Sequence, residues 1–562
     1  MNGSKPDPPS GGPPPELEGV RVTFLGGLGE IGRNCAAIEV GGQIALVDCG
    51  LMFPEEDMLG VDLVFPDWSW LAQRREDVRC VVITHAHEDH IGALAYFLRD
   101  IEVPVYGTKL SLEVARGRIE ELGVAVDLRP MTELEWIEEG PLRFMLVAVT
   151  HSVPRGCAVV FDTDQGAVVH SGDFKLDPTP IDGRVTDLRT FAELGNRGVR
   201  LLLSDSTNAE RPGFVPSERS LAEPIRHIVE QAPGRVVAAC FSSHVHRVQQ
   251  IADAGLAAGR DIAIFGRSMR RITGVGAELG ELRIPTDRRR DIADLGDLPE
   301  DRQMLITTGS QGEPFAALSL MASGRHKWIE LRPDDTILIS ATPVPGNETA
   351  VSRVISRLLR SGATVFHGRN AEVHVSGHAA RDELATLINV VRPSIMVPIH
   401  GEYRHLRAHA ELARTAGVPE VHILEDGDSI LLRNDETVVE RRAVPAGYVY
   451  LDGSEMGDVR DAVLRDRSHL ADEGVVVVTV GVRLATGEIV LGPELDSHGF
   501  ITEPDELLEA AGVKVAETVA ELVAAGPTDP SELQQAVRRT VSQFLRAETR
   551  RRPVVLPVVL EV

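Results

Sequence analysis

The sequence predicts a multidomain α/β protein: a β-rich sandwich interrupted by an inserted α/β block and followed by an α+β module. The chain has 562 residues, too many for one hydrophobic core, because domains usually hold about 100–200 residues. Short β-rich runs separated by glycine and aspartate turns fill residues 20–206, and strands and helices alternate after Pro216. Two amphipathic helices close the chain. These changes of pattern predict separate packed parts.

The order of these patterns predicts the domain organisation. Alternating strands and helices are typical of parallel βαβ units, and sandwich-like strands return near Ser394, which indicates that the α/β block is an insertion. The predicted parts are a disordered leader (1–16), a sandwich core in two pieces (17–215 and 369–449), the inserted α/β domain (216–368), a linker (450–472) and a C-terminal α+β domain (473–562).

Composition excludes several classes of protein. No apolar run approaches the ~18 residues that cross a bilayer, and the Pro- and Gly-rich start lacks the apolar segment of a signal peptide, so we expect a cytoplasmic protein without membrane contact. The 5 cysteines are scattered and odd in number, which favours buried reduced thiols over disulfides or a cysteine zinc site. The net charge of −26 disfavours polyanions in general, so a nucleic-acid ligand would need local arginine-rich surfaces and metal ions.

One cluster of polar residues carries most of the chemistry. His85, His87, Asp89 and His90 stand within six residues, directly after the apolar run 78–83. At the end of a strand that runs into a helix, such side chains can converge from two directions on one small volume. Imidazole and carboxylate are ligands for zinc and manganese, and a pair of ions about 3.5–4 Å apart needs a carboxylate that bridges them. The spacing therefore predicts a dinuclear metal site.

Further ligand-type residues follow other predicted strands. His151, Asp173 and His400 each come directly after an apolar run and are followed by serine or glycine, so separate strands can deliver them to one edge of the sandwich. Alone, each is more often a capping aspartate or a hydrogen-bonded core histidine. Asp48, before Cys49 and Gly50, is either a turn former or an outer-shell residue that orients a ligand histidine.

The segment Gly27-Leu-Gly29-Glu-Ile-Gly32 matches the letters of a dinucleotide fingerprint. That fingerprint needs a helix directly after its glycines. Here residues 34–40 read as a strand that ends in a Gly-Gly hairpin, which leaves no room for a helix. We interpret the glycines as a tight loop near the metal edge.

These motifs together resemble a known family. The cluster at 84–90 with His151, Asp173 and His400 is similar to the motif set of the metallo-β-lactamase superfamily, and the insertion before His400 resembles the β-CASP domain of its nucleic-acid-processing branch. The segments 26–34, 47–50, 204–208, 308–314, 374–378 and 398–404 resemble bacterial ribonuclease J over nearly the whole chain. The resemblance implies a metallo-β-lactamase αββα sandwich with an inserted β-CASP domain.

The resemblance also implies roles for individual residues. One metal ion would be held by His85, His87, His151 and Asp173, and the other by Asp89, His90, His400 and the shared Asp173. The nitrogen-rich ligand set favours zinc, with manganese or magnesium as alternatives. Asp205, His378 and His400 match the three β-CASP motifs, and a histidine at the third goes with RNA substrates. Asp173 and Asp205 would join His378 in catalysis, with His378 either the general acid or a phosphate ligand.

A pocket for a 5′-monophosphate is implied in the same way. Ser243, His246, Ser376, Gly377 and His378 would line it. His244 stands where the family usually has asparagine, which leaves the contact at that position open. Four arginines, Arg247, Arg267, Arg270 and Arg271, are candidates for a basic RNA channel.

The implied function is a two-metal ribonuclease that degrades RNA 5′ to 3′ from monophosphorylated ends and also cuts internally, in messenger decay and ribosomal RNA maturation. The family further implies a homodimer or homotetramer and association with other RNA-decay proteins. Two alternatives stay open: a small-molecule hydrolase that uses the same metals, which would not need an insertion of this size, and a scaffold with a dead site, which the intact ligand set disfavours.

Overall fold

The structure, a computed structural model, describes residues 19–55, 57–313, 316–344, 347–434, 436–453, 455–457, 461–483, 486, 488–502, 505–525 and 529–562. The predicted leader lies outside them. The chain divides into two compact units, one made of 1–53 and 63–449 and the other of 54–62 and 450–562. In the described part of the chain, no helix has both the length and the apolar character needed to cross a bilayer.

Two β-sheets packed face to face form the centre of the first unit. Their inner faces supply a buried apolar core that includes Phe24, Val82, Phe144 and Val397. The first sheet has eight strands, in the order Glu436–Glu440, Ser429–Arg433, Val20–Gly26, Cys35–Val40, Gln43–Val47, Val78–Val82, Val105–Gly107 and Leu128–Pro130. The second has seven, in the order Glu420–Val421, Ile395–Ile399, Val199–Asp205, Ala167–His170, Cys157–Phe161, Leu142–Ala148 and Ile137–Glu139.

Helices cover the outer faces of this sandwich. A second buried cluster joins the second sheet to the helices behind it, through residues such as Val160, Phe191, Leu384 and Leu412. The helices of the core are Ser69–Gln73, Glu88–Ile91, Leu94–Asp100, Lys109–Glu121, Leu188–Arg197, Arg381–Val391 and Tyr403–Thr415. Together they give the αββα layering that the family resemblance implied.

A parallel six-stranded sheet forms the inserted block. Its strands run in the order Arg289–Arg290, Asp261–Phe265, Gln303–Thr307, Val236–Ala239, Thr336–Ile339 and Thr364–His367, and every described pairing between them is parallel. The helices between the strands are Ala222–Gln231, Val245–Ala257, Arg267–Glu278, Ile292–Leu295, Ala317–Ala322 and Glu348–Arg360. Short 3-10 turns lie at Glu218–Leu221, Thr286–Arg288 and Glu300–Arg302.

The insertion returns the chain to the sheet that it left. Strand Val199–Asp205 pairs in parallel with Ile395–Ile399, with Leu203 opposite Val397. A short parallel pair, Leu28–Gly29 with Gly401–Glu402, lies just beyond. Residues from both sides of the insertion therefore share one sheet edge.

The second unit is an α+β module. Strand Val475–Arg483 lies between Glu488–His498, which is antiparallel to it, and Val554–Glu561, which is parallel. Helices Asp505–Ala524 and Pro530–Thr549 pack on one face of this sheet over a valine-rich core. Residues 450–472, for which the sequence predicted a linker, hold most of the strand Tyr448–Asp452 and of the helix Asp461–Glu473, with the short strand Glu455–Met456 between them.

Glu383 joins separate segments of the core through one buried carboxylate. Its Oε1 accepts a hydrogen bond from the Leu176 amide at 2.8 Å, and its Oε2 accepts from the amides of Val215 and Ala380, both at 2.8 Å. The side chain is fully buried, so water cannot take its place as the acceptor for these three amides. A hydrogen bond to a charged group contributes about 1.5–3 kcal/mol.

We predict that Glu383→Ala lowers the stability of the first unit by about 3 kcal/mol or more, because three buried amides lose their acceptor. Glu383→Gln keeps one carbonyl oxygen and should lose less. Hydrogen exchange at the Leu176, Val215 and Ala380 amides measures the effect. Asp382→Ala, at the exposed neighbour, is the control and should leave these rates unchanged; equal rates in Glu383→Ala would contradict the prediction.

Candidate metal centre

The ends of several strands meet at one edge of the sandwich. His85 follows strand Val78–Val82, and His87 caps the short helix Glu88–Ile91, which carries Asp89 and His90. Strands of the second sheet deliver the other ligand-type residues, with His151 after Leu142–Ala148, Asp173 after Ala167–His170 and His400 after Ile395–Ile399. The structure thus brings together all seven residues that the sequence singled out as metal ligands.

Asp173 lies at the middle of this cluster. Its Oδ2 atom is buried and accepts no hydrogen bond. The Nε2 atoms of four histidines surround it, those of His90 at 3.3 Å, His85 at 3.5 Å, His400 at 3.5 Å and His151 at 3.6 Å. A buried carboxylate oxygen without a donor is costly, and bridging two cations would satisfy it.

In His85 and His151, one ring nitrogen is already held by a hydrogen bond to a neighbouring oxygen. Nδ1 of His85 lies 3.0 Å from Thr84 Oγ1, and Nδ1 of His151 lies 2.9 Å from the Gly377 carbonyl. Both rings donate there, which leaves each Nε2 as an acceptor facing His87 Nδ1, at 3.0 and 3.1 Å. Acceptor nitrogens that face one another need a proton or a cation between them.

Two groups of four residues therefore fit divalent cations. One is His85, His87, His151 and Asp173, and the other is Asp89, His90, Asp173 and His400; within each group the ligand atoms lie within 4.8 Å of one another. Asp173 belongs to both groups. Imidazole nitrogens and carboxylate oxygens are the donors that zinc and manganese bind.

Asp48 orients the ligands from the first sheet. Its Oδ1 accepts from the Thr84 amide at 2.7 Å, and its Oδ2 lies 2.7 Å from both Thr84 Oγ1 and His90 Nδ1. His90 therefore keeps its proton on Nδ1 and turns Nε2 towards Asp173. The turn after Asp48 also needs glycine, because a Cβ on Gly50 would lie 1.6 Å from the Asp89 carbonyl oxygen.

Asp205 orients a ligand from the second sheet in the same way. Its Oδ1 accepts from the amide and the hydroxyl of Thr207, at 3.0 and 2.9 Å, and the same hydroxyl lies 2.6 Å from His400 Nδ1. Thr207 was missed by the sequence reasoning, although it stands two residues after Asp205 in a motif that was noted. A threonine two residues after a strand-end aspartate is the local signal that could have identified it.

His378 is held beside the metal ligands by Asp205. Its Nδ1 lies 2.9 Å from Asp205 Oδ2 and 3.9 Å from Asp173 Oδ2, and its ring stacks on that of His400. The preceding residue must be glycine, since a Cβ on Gly377 would meet His151 Cε1 at 2.8 Å. Ser376 Oγ accepts from Asn208 Nδ2 at 2.9 Å, which fixes the loop.

The protonation of the site divides the histidines into two classes. Burial lowers the pKa of His85, His87 and His151, that of His87 to about 4, so these rings are neutral and ready to bind metal. Burial also disfavours charge on His400, but Asp173, Asp89 and Asp205 outweigh it and raise its pKa to about 9. A divalent cation competes with that proton, because ligand histidines bind metal in the neutral form.

The glycine-rich segment forms a loop at this edge, as the sequence predicted. The His400 amide donates to the Gly27 carbonyl at 3.1 Å, and Asn34 Nδ2 donates to the Asp89 carbonyl at 3.0 Å. No helix follows, because residues Cys35–Val40 form a strand. The prediction of five buried free cysteines is also confirmed.

Four of the five predicted phosphate-pocket residues lie at the metal centre or line a cavity that includes one of its histidines. Ser376, Gly377 and His378 lie at the metal centre. His246 and His151 line the same small cavity of about 10 Å³, where His246 Nε2 lies 3.7 Å from Asp182 Oδ2 and has no hydrogen-bond partner. Ser243 lies before the helix Val245–Ala257.

The prediction that Arg247 lines a basic channel is wrong. The structure also gives the surroundings of His244, which the sequence left open. Arg247 is fully buried and pairs with Glu218, so it cannot line an open channel. His244 is buried too, with Nε2 3.5 Å from Glu218 Oε1. Arg271 lies 3.8 Å from Glu88, which offsets its charge. The sequence showed the arginines as a cluster but not the direction of their side chains.

Comparison with known proteins places these parts in families. Residues 28–212 match the metallo-beta-lactamase superfamily, 233–358 the ribonuclease J beta-CASP domain, 367–424 the Zn-dependent metallo-hydrolase RNA specificity domain, and 462–562 the ribonuclease J C-terminal domain. Ribonuclease J of Mycolicibacterium smegmatis is 43% identical over 98% of this chain and 99% of its own.

The chain belongs to the ribonuclease J family. Two further members of the family agree with this assignment. Ribonuclease J of Mycobacterium tuberculosis (strain H37Rv) is 43% identical over 99% of both chains, and that of Thermus thermophilus is 38% identical over 98% of this chain and 96% of its own. The expected fold class, a metallo-β-lactamase core with a β-CASP insertion and a C-terminal domain, is confirmed.

A solved structure shows the same fold at low identity. It is a protein of unknown function from Enterococcus faecalis, with a TM-score of 0.54, 16% identity, and coverage of 74% of this chain and 100% of its own.

We predict that Asp173→Asn removes most of the bound metal, because the variant loses the oxygen and the charge shared by both ligand sets. Metal analysis by mass spectrometry after dialysis measures the ions per chain. Asp426→Asn is a matched control at a buried carboxyl outside both sets, where burial raises the pKa to about 8. Full metal content in Asp173→Asn would show that Asp173 is not the bridge.

Proposed function

We propose that this protein is a two-metal ribonuclease that degrades RNA 5′ to 3′ from monophosphorylated ends, releases nucleoside 5′-monophosphates and also cuts internally. The observation that carries the proposal is the buried Asp173 oxygen between two sets of ligand atoms, in a chain of the ribonuclease J family. Messenger decay and ribosomal RNA maturation are its proposed work.

In this proposal the residues of the centre divide the tasks of metal binding and ligand orientation. His85, His87, His151 and Asp173 hold one ion, and Asp89, His90, His400 and Asp173 hold the other. When bound, two such ions lower the pKa of water and offset the negative charge that develops on a phosphodiester. Asp48 and Thr207 fix the histidine rings, so that the ligand nitrogens are in place before substrate arrives.

His378 is the proposed general acid for the leaving 3′ oxygen. Burial lowers its pKa, but the neighbouring Asp205 carboxylate more than offsets this and raises it, which favours the protonated ring. Asp205 binds Nδ1, which leaves Nε2 to donate. Proton transfer of this kind contributes about 10²–10⁴-fold to a rate.

The 5′-phosphate pocket is proposed to use Ser376, Gly377 and His378 together with Ser243 and His246. Asn208 Nδ2 donates to Ser376 Oγ and holds it in place. The buried Nε2 of His246 has no hydrogen-bond partner, which leaves it free to donate to a phosphate. The Asp182 carboxylate near His246 opposes an anion, and burial outweighs that carboxylate and lowers the pKa of His246, so the ring would donate to a phosphate from its neutral form.

Further parts of the proposal come from the family. Zinc is the favoured ion, with manganese or magnesium as alternatives, and a homodimer or homotetramer that associates with other RNA-decay proteins is the proposed assembly. The five buried thiols suit a reducing compartment, so we place the activity in the cytoplasm.

We predict that the purified protein with zinc or manganese releases nucleoside 5′-monophosphates from the end of a 5′-monophosphorylated RNA, and that the His85→Ala/His87→Ala variant does not. Chromatography of the products, with a 5′-triphosphate RNA alongside, shows the end preference. Intact RNA together with turnover of a lactam would favour a small-molecule hydrolase instead. Undiminished RNA cleavage by the double variant would exclude the proposed centre.

We predict that His378→Ala lowers kcat on RNA by about 10²–10⁴-fold without loss of metal, since a missing acid slows departure of the 3′ oxygen. A substrate with sulfur in place of the bridging 3′ oxygen needs no proton on its leaving group, so on it the variant should approach the wild-type rate. A loss of the same size on both substrates would assign His378 to phosphate binding.

A further inference from the structure

Arg247 is a buried cation with no place in the metal centre. Its side chain is fully buried in the first turn of helix Val245–Ala257. Nε donates to Glu218 Oε1 at 2.5 Å and Nη2 to Glu218 Oε2 at 2.8 Å, a two-point contact that holds the guanidinium in one plane. Burial and these contacts fix the side chain rigidly.

The remaining nitrogen of Arg247 contacts two other segments. Nη1 donates to Ser340 Oγ at 2.5 Å and to the Val373 carbonyl at 2.9 Å. Ser340 Oγ also donates to the Val373 carbonyl, at 2.6 Å. Ser340 directly follows strand Thr336–Ile339 of the inserted sheet, so two donors from the inserted domain hold one carbonyl.

Val373 begins the loop that ends at His378. The far end of this loop is fixed independently, because Asn208 Nδ2 donates to Ser376 Oγ at 2.9 Å and to the His378 carbonyl at 2.8 Å. His151 holds the Gly377 carbonyl. The loop is thus attached to the inserted domain at Val373 and to the metal core at residues 376–378.

Stability alone does not account for this arrangement. A buried ion pair is often no more stabilising than apolar residues of the same volume, because both charges lose their water. Glu218 does remain ionised, since His244 and Arg247 outweigh burial and lower its pKa to about 2. Beyond packing, the guanidinium provides several N–H donors that are held in a rigid planar arrangement.

We infer that Arg247, with Ser340, is a positioning residue that sets the geometry of His378 through the Val373 carbonyl. The inference rests on the proposed function, because it needs His378 to donate a proton. Through this contact, the packing of the inserted domain against the core determines the rate of the chemical step. Displacement of a reacting group by about 1 Å can cost about 100-fold in rate.

The test compares kcat and KM of three variants with those of the wild type on 5′-monophosphorylated RNA. Ser340→Ala removes one of the two donors to Val373 and keeps the Arg247–Glu218 pair, so it should fold and lose about tenfold in kcat. Arg247→Lys keeps the charge but not the fork, and should lose about 100-fold. KM and metal content should stay unchanged in both. Arg226→Lys, at an exposed arginine paired with Glu223, should behave as wild type.

Combination with His378→Ala decides whether the effect passes through His378. We expect Ser340→Ala to cost nothing further in that background, and the substrate with a bridging 3′ sulfur to restore Ser340→Ala to the wild-type rate. A full tenfold loss in the His378→Ala background, or an equal loss on the sulfur substrate, would overturn the inference. Wild-type protein that leaves RNA intact would instead refute the proposed function.

Discussion

The site depends on one oxygen atom. Asp173 Oδ2 is buried, receives no hydrogen bond and lies 3.3–3.6 Å from four imidazole nitrogens. An unpaired buried carboxylate would be a serious cost in an ordinary core. Here the surrounding nitrogens and the carboxylate together form groups of ligand atoms that could hold cations, and a bound cation would offset that cost. The strand ends of both sheets are arranged around this atom.

Two aspartate–threonine pairs orient the ligand histidine rings towards Asp173 Oδ2. Asp48 with Thr84 acts on His85 and His90 from the first sheet. Asp205 with Thr207 acts on His400 from the second. In each pair the threonine donates both its amide and its hydroxyl to the aspartate, so the hydroxyl oxygen accepts from a ring Nδ1. Outer hydrogen bonds of this kind fix the tautomer that binds metal.

Much of this was predictable from sequence, because apolar runs give strand positions and ligand residues follow strand ends. The strand predicted at 34–40 agrees with Cys35–Val40, and the apolar run at 78–83 holds the strand Val78–Val82. Four of the seven ligand positions were identified by their clustering, and the other three by their place after apolar runs together with the family resemblance. Thr207 was not identified, because its place two residues after the strand-end Asp205 was a signal that the sequence analysis did not use.

The direction of buried charged side chains was beyond the sequence. Arg247 was grouped with surface arginines because composition shows only that a charge is present. Its burial depends on Glu218, Ser340 and Val373, which lie far away in the chain and meet only when the inserted sheet is complete. Tertiary partners of this kind decide whether an arginine faces solvent or the interior.

The interrupted sheet has a consequence for synthesis. Strand Ile395–Ile399 and His400 follow the whole insertion, so a nascent chain carries only part of its ligand set until the ribosome has passed that point. Domains form as the chain emerges, yet the group of Asp89, His90, Asp173 and His400 lacks one imidazole until late in translation. A protein of this family is made on a messenger, and the ligand group that includes His400 is complete only after residue 400 has emerged beside that RNA.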